Sequence, residues 1–278
     1  MPNFYFTILL LFCFTNVFCQ TGGNWQILKG KITSASNQVM FATVGIAKEN
    51  IGTITDDNGE FELKIPYEQL DQILIVSHIG YQTLQLRLDS LLKLDDVLIE
   101  LTEQVELLDE VVVTSEKLIG KTKELGNTKK HKLFLWIQNG DRGSEIVTLI
   151  NPKGEMLLNS VSLNIFNQLE KEFTLLLNIY KVDATTNLPS DQVLKNQKII
   201  RSNLLRGWLD VDLTAENIVL NEPFYVGFQW VKIDEPSPMI GGKHGSIKNS
   251  LIRYKALGTW EKYAQWDIKA KGTVYTVE

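Results

Sequence analysis

Gly52-Thr-Ile-Thr-Asp-Asp-Asn-Gly-Glu-Phe61, followed by Ile73-Leu-Ile-Val-Ser-His-Ile-Gly-Tyr81, reads as strand, turn, strand, and then a further strand that ends in Gly-Tyr. Asp57-Asn58-Gly59 places residues that tolerate positive φ where two strands reverse. Beyond that turn Phe61, Leu63 and Ile65 share one face of a strand. Gly80 marks a bulge or a tight bend that lets the Tyr81 ring fold back over a core. The acids of Thr55 to Gly59 suggest calcium at first sight. The twelve-residue calcium loop needs further ligands at fixed offsets, however, and this stretch lacks them, so the turn reading is preferred.

Working outward, apolar and polar residues alternate in short runs from Ile27 to Thr114, the period of half-buried strands. The predicted strands are Ile27 to Thr33, Ala42 to Ala47, Gly52 to Thr55, Glu60 to Ile65, Ile73 to Ser77, Thr83 to Leu88, Val97 to Leu101 and Glu110 to Thr114. So many strands in so short a span specify a sandwich. Between Ser115 and Lys132 six lysines and two glycines break the alternation. This stretch is expected to be a solvated linker. Alternation resumes from Leu133, with long strands at Glu145 to Ile150, Leu157 to Asn167, Phe173 to Val182, Gly207 to Leu213, Phe224 to Ile233, Ser250 to Tyr254 and Ala264 to Val277, and a short one at Phe134 to Ile137. That pattern fits a larger jelly-roll-like sandwich. Met239 to Ser246, with Gly241, Gly242 and Gly245 behind Pro236 and Pro238, is expected to be a mobile loop. No helical pattern follows the glycines, so it is no phosphate cradle. The chain is therefore expected to be all-β, with two sandwich domains at 20–114 and 133–278 joined by a linker at 115–132.

The first residues bear on the compartment. Phe4 to Phe14 is an almost unbroken apolar run of secretory length, too short to span a bilayer comfortably, although no Lys or Arg precedes it. Residues 1–19 are expected to be a signal peptide cleaved after Cys19, which would place the protein in the periplasm, the outer membrane or the cell surface. The other reading retains Cys19 and acylates it, tethering the chain to a membrane; Phe18, just before the cysteine, argues against it. Both cysteines, Cys13 and Cys19, lie here, so the cleaved protein has no disulfide framework. Net charge −5 speaks against nucleic acid as a partner.

On these motifs the first domain resembles the carboxypeptidase-like regulatory domain of Bacteroidetes envelope proteins, a transthyretin-like seven-stranded sandwich. Gly30-Lys-Ile-Thr33 is similar to its opening strand and Ala42-Thr-Val44 to its second. Gly52 to Phe61 matches the family's most specific run, and Ser77 to Tyr81 its S-x-x-G-Y element. Leu108 to Thr114 is similar to the segment that ends this module in nutrient receptors dependent on TonB. The stretch from Thr33 to Phe41 departs from the pattern in lacking Pro-Leu. Only 164 residues follow Thr114, too few for the plug and 22-stranded barrel of such a receptor. Gly207 to Leu213 and Phe224 to Trp230 resemble a β-sandwich that accompanies the module in some short envelope proteins.

No catalytic signature accompanies these strands. A zinc peptidase needs two histidines and a carboxylate on one metal, whereas His78, His131 and His244 fall in a strand, the linker and a loop. There is no G-x-S-x-G elbow, and no cysteine nucleophile survives cleavage. Asp210 and Asp212 share one strand face, which reads as a solvated face rather than an acid pair flanking a bond. The aromatic residues offer the remaining lead. Trp208 and Trp230 sit in alternating strands and are assigned to the core, while Trp260, Tyr263 and Trp266 lie in a polar, turn-rich setting and are the candidate ligand-binding residues, as a platform for a sugar. The function expected is therefore non-catalytic, a binding or assembly role in the cell envelope toward a glycan or protein. No cofactor and no metal is expected, and membrane association would come through a partner or a lipidated Cys19. The alternatives are a regulatory partner of a peptidase or an unrecognised hydrolase, and a structural component of an outer-membrane assembly pairing through Glu110 to Thr114.

Overall fold

Main-chain pairing in the computed structural model, which describes residues 25–94, 96–104, 119–137, 142–168, 171–231, 238–245 and 249–276, builds two β-sandwiches with one four-residue helical turn, Leu88–Leu91. Residues 1–19 with Cys19, and the Leu108 to Thr114 stretch, lie outside the described residues.

The first sandwich contains β1 (Trp25–Ser34), β2 (Asn37–Gln38), β3 (Thr43–Ile46), β4 (Ile51–Ile54), β5 (Glu60–Pro66), β6 (Ile73–Ser77), β7 (Leu84–Arg87) and β8 (Val97–Glu100). One sheet runs β2-β1-β5, with β8 parallel to β1, and the other runs β4-β3-β6-β7. The deciding stretch is therefore not a hairpin: β4 and β5 lie in different sheets. Thr55 explains the crossing. Its hydroxyl donates to the Val39 carbonyl (2.7 Å) and accepts from the Ala42 amide (2.8 Å), pinning the end of β4 to the chain entering β3. Asp56 Oδ1 then accepts the amides of Asn58 and Glu60, both at 2.9 Å, and the turn closes at Gly59 with φ +75°. A Cβ at Gly59 would lie 2.6 Å from the Ile32 carbonyl, so both the dihedral and the space require glycine. Gly80, at φ +85°, makes the bend foreseen from the sequence, and Tyr81 packs against a core of Leu28, Ile32, Phe61, Leu74 and Ile99.

The second sandwich contains β9 (Ile119–Gly126), β10 (Phe134–Leu135), β11 (Glu145–Ile150), β12 (Glu155–Phe166), β13 (Phe173–Val182), β14 (Pro189–Gln192), β15 (Lys198–Ser202), β16 (Arg206–Asp212), β17 (Val219–Leu220), β18 (Phe224–Trp230), β19 (Met239–His244), β20 (Ser250–Arg253), β21 (Ala264–Trp266) and β22 (Ile268–Thr276). One sheet includes the order β9-β22-β12-β16 and the other β11-β18-β13-β15. Numbered in chain order, these eight strands alternate between the sheets except at β13 and β15, which pair in one sheet, the order of a jelly roll. Two expectations are corrected here. The supposed linker supplies the first jelly-roll strand: β9 pairs with β22 along eight residues, from Ile119↔Thr276 to Gly126↔Lys269. The supposed glycine loop supplies β19, which pairs with β10, β12 and β21. Both strands escape notice for a physical reason. β9 is an edge strand with exposed lysines, held by main-chain bonds rather than burial, and β19 carries glycines because its neighbours leave no room for side chains.

The two sandwiches meet through Phe41 and Ile54 of the first and Leu176, Val231 and Ala256 of the second, all buried in one apolar cluster. Polar bonds flank it: the Lys48 amide donates to the Leu257 carbonyl (2.9 Å), and Asn50 Oδ1 accepts from the Thr259 amide (2.9 Å) and hydroxyl (3.1 Å). The backbones come close enough that a Cβ on Gly52 would lie 1.9 Å from the Ala256 carbonyl oxygen.

Candidate functional site at the junction of the two sandwiches

The outer face of the β11-β18-β13 sheet carries a polar cluster beside this junction. Register sets it up: Glu145 lies opposite Gln229 on one side and Arg253 on the other, and Gly227 lies opposite Asn178. Because Gly227 has no side chain, the Glu145 carboxylate passes over β18 to reach β13; a Cβ there would lie 2.6 Å from Oε1. Glu145 is entirely buried and accepts from Asn178 Nδ2 (2.7 Å), the Tyr180 hydroxyl (3.0 and 3.1 Å) and the Arg253 guanidinium (2.5 Å). The amides continue the chain. Gln192 Nε2 donates to Asn178 Oδ1 (2.9 Å), its Oε1 accepts from the Ile179 amide (2.8 Å), and Gln229 Nε2 donates to the Gly143 carbonyl (3.2 Å).

Burial, followed by the Glu145 charge, pushes the Tyr180 phenol well above its ordinary range, so it stays a donor. Burial is the largest influence on the Arg253 guanidinium and would lower it, but the Glu145 and Tyr180 charges and hydrogen bonds beside it together outweigh this and the net shift is upward. Trp260 packs on the same group, with the guanidinium carbon 4.6 Å from its ring centroid and the Tyr180 ring edge-on at 6.4 Å. Among the described residues Arg253 Nε, which is buried, has no hydrogen-bond partner.

Between this cluster and the first sandwich lies a cavity of about 360 Å³, walled by Asn178, Tyr180, Gln192 and Arg253 from one side and by Thr43, Ser77 and His78 from the other. His78 Nδ1 bonds the Ile79 carbonyl (2.7 Å) and its ring meets Tyr81 edge-on at 5.2 Å. Burial depresses its pKa, so the neutral imidazole is favoured. A second concavity, a groove of about 1000 Å³, is walled by the first sandwich together with Arg142 and Lys255 of the second.

The predicted ring platform does not form. Trp266 is wholly buried, its indole nitrogen donating to the Leu251 carbonyl (3.2 Å), and Tyr263 stacks on it at 5.9 Å and meets His244 edge-on. Trp260 belongs instead to the Arg253 cluster. The cause is β21, whose pairing with β19 turns Trp266 into the core. Trp230 is buried and Trp208 half-buried beneath Lys269. Asp210 and Asp212 are exposed; Asp210 accepts from Ser162 and Asp212 from Thr214, whose amide lowers its pKa. His131 bonds the buried Asp267 through both its amide (2.8 Å) and Nδ1 (2.5 Å), and Asn164 donates to the same carboxylate (2.9 Å), so this trio fastens the chain entering β10. Among the described residues no three His, Cys, Asp or Glu side chains converge as a metal site.

Glu145, Tyr180 and Arg253 went unnoticed in the sequence. Their one signal was Gly227, a lone small residue in Phe224-Tyr-Val-Gly-Phe-Gln-Trp230.

Residues 28–113 match the family model of the CarboxypepD_reg-like domain. The first sandwich is a CarboxypepD_reg-like domain. The match takes in β1 to β8 apart from the first residues of β1, and none of β9 to β22. No curated protein matches the chain. Among solved structures, the particle of infectious bursal disease virus shares 10% identity over 90% of this chain and 61% of that one, with a TM-score of 0.25. The VP2 subviral particle of the same virus gives 10% identity, 90% and 63% coverage and a TM-score of 0.26. The chain thus spans about three fifths of those viral chains, and likenesses this low bear on neither fold nor function. What the CarboxypepD_reg-like domain contributes at the junction is the β3–β4 hairpin against the second sandwich and the His78 wall of the cavity.

Proposed function

We propose that this is a non-catalytic, exported protein of the cell envelope that works by binding a glycan or a protein, with recognition at the junction of its two sandwiches. One observation carries the reading: both concavities described above are walled by the CarboxypepD_reg-like domain and the jelly roll together, around a tightly packed contact. Binding sites favour such clefts between domains. The chemistry of the cavity also suits recognition more than turnover. Its neighbouring carboxylate, Glu145, has its acceptors taken up by Arg253, Tyr180 and Asn178, and among the described residues no second buried acid stands beside it to complete an acid–base pair.

The test is hydroxyl-radical footprinting of the full chain, alone and with soluble cell-wall polysaccharide or detergent-extracted outer-membrane protein. Protection of Trp25, His78 or Trp260 is the expected result. Protection confined to side chains remote from the junction, or none with any fraction, overturns the reading.

A further inference from the structure

The groove beside Trp25 is not among the positions the sequence pointed to. Trp25 opens β1 directly opposite Pro66, where β5 ends, and is 53% exposed. Trp136 is exposed to a similar extent, at 51%, but is not among the residues that wall the groove. A tryptophan presenting this much ring to a concave wall is uncommon, because burial is its usual fate.

We propose that this groove binds an uncharged saccharide chain. The inference rests on the binding reading above and names its ligand class. Three properties of the groove lead to it. The Trp25 ring offers a flat apolar surface of the kind that the C–H face of a pyranose covers. The polar wall is planar and bidentate, with the Glu49 and Glu68 carboxylates, the Gln69 amide and the Arg142 guanidinium, groups that pair with neighbouring hydroxyls. The charges nearly balance, with Glu49, Glu62 and Glu68 against Lys64, Arg142 and Lys255, and with Lys29 beside Glu62 at 2.9 Å. A groove with so little net charge gives a polyanion or a polycation little electrostatic advantage. Its volume of about 1000 Å³ stands at the upper end of small-molecule sites, which favours an extended chain over a single sugar.

The experiment is titration calorimetry of the full chain with neutral gluco-, xylo- and manno-oligosaccharides, with polygalacturonate as the charged comparison. At least one neutral oligosaccharide is expected to bind. Trp25→Ala should weaken it tenfold or more, Trp25→Phe by less, and Trp136→Ala should leave it unchanged. Circular dichroism and thermal unfolding of each variant establish that folding is intact, which the exposure of Trp25 leads one to expect. Binding of polygalacturonate alone, or equal losses in the Trp25 and Trp136 variants, overturns the proposal. If no saccharide binds but an outer-membrane protein footprints the junction in a Trp25-dependent manner, the saccharide inference fails and the binding reading stands. If neither binds, both fail.

Discussion

Glu145→Ala is the most informative single change in this chain. It removes the carboxylate that faces Arg253 inside the sheet and leaves the guanidinium buried against Tyr180 and Trp260, its side chain 12% exposed where that of Glu145 is wholly enclosed. Breaking a buried pair from one side costs about 3–5 kcal/mol, because the remaining charge keeps its desolvation penalty and loses its partner. For a domain of 150–250 residues each kcal/mol moves Tm by about 2–4 °C, so the midpoint should fall by roughly 6–20 °C. Urea and thermal unfolding followed by circular dichroism read this directly, and tryptophan fluorescence reports on Trp260. The companion is Glu145→Leu with Arg253→Met, which removes both charges and refills the space. It should recover most of the loss, since apolar replacement of a buried pair is often neutral or stabilising.

The two single truncations should also differ. Arg253→Ala leaves Glu145 with the Asn178 amide and the Tyr180 hydroxyl, so its carboxylate retains two donors, whereas Glu145→Ala leaves Arg253, among the described residues, the phenol oxygen as its one hydrogen-bond acceptor beside the Trp260 ring. The arginine variant should therefore be the milder. Two results would refute the reasoning. A Glu145→Ala loss below about 1 kcal/mol is what a solvated surface pair gives. A double variant as unstable as the single would mean that the charges are not the source of the loss.

Other predictions follow from particular contacts. Gly52→Ala, whose Cβ would lie 1.9 Å from a backbone oxygen of Ala256, should part the sandwiches and show as new protease cutting near 255–259, whereas Gly227→Ala meets side-chain atoms, Glu145 Oε1 at 2.6 Å and Val147 Cγ1 at 2.8 Å, and should act by displacing those two side chains. A fragment of residues 133–278 lacks β9 and should fail to unfold cooperatively in calorimetry, while one of 119–278 should do so. Trp266→Ala should cost about 3–5 kcal/mol as a core truncation, and an equal effect of Trp136→Ala on Tm would contradict their burial. The Tyr180 phenol is raised in the folded state, so the unfolded chain releases that proton first; stability should fall as pH climbs past about 10, and Tyr180→Phe should flatten that limb. His78 is lowered, so below about 6.5 the unfolded chain takes up the proton first, stability should decline on acidification, and His78→Gln should remove that component.

The first sandwich was legible because its strands carry their own burial code. Glu60 to Pro66 alternates exposed and buried residues, and Ile73 to Ser77 has the bounds its alternation predicts. What was misread there, the hairpin, depended on Thr55 bonding residues sixteen and thirteen positions away, which no local pattern contains. In the second sandwich β11 and β13 were legible from apolar content, while β9 was not. Of residues 120–126 only Leu125 is even partly buried, so the strand shows no apolar period. Its lysines suit an edge that must not pair further, and that composition is also what a solvated connector has. The site was least legible. The aromatic residues were weighed by the polarity of their neighbours in sequence, whereas their exposure was decided by which strand each entered.

Strand glycines carry the information that the polar residues did not. Among its described residues the jelly roll encloses two buried carboxylates, Glu145 and Asp267, and each lies against a strand glycine whose Cβ would intrude on it: Gly227 at 2.6 Å from Glu145 Oε1, and Gly241 at 2.7 Å from Asp267 Oδ2 and 2.2 Å from Asn164 Nδ2. A carboxylate inside a sheet must lie flat along it to reach its donors, and only a neighbour without a side chain leaves that path open. Glycine weakens a strand, so its presence in the middle of Phe224 to Trp230 and of Met239 to His244 needs a compensating gain. Here the gain is a satisfied ion in place of an unpaired one, a difference of several kcal/mol against roughly one for the glycine. In an all-β chain, then, an isolated glycine between large apolar residues points toward a buried polar group on the strand beside it. Gly227 and Gly241 were both visible in the sequence; what it did not carry was the pairing register that says which acid each one serves.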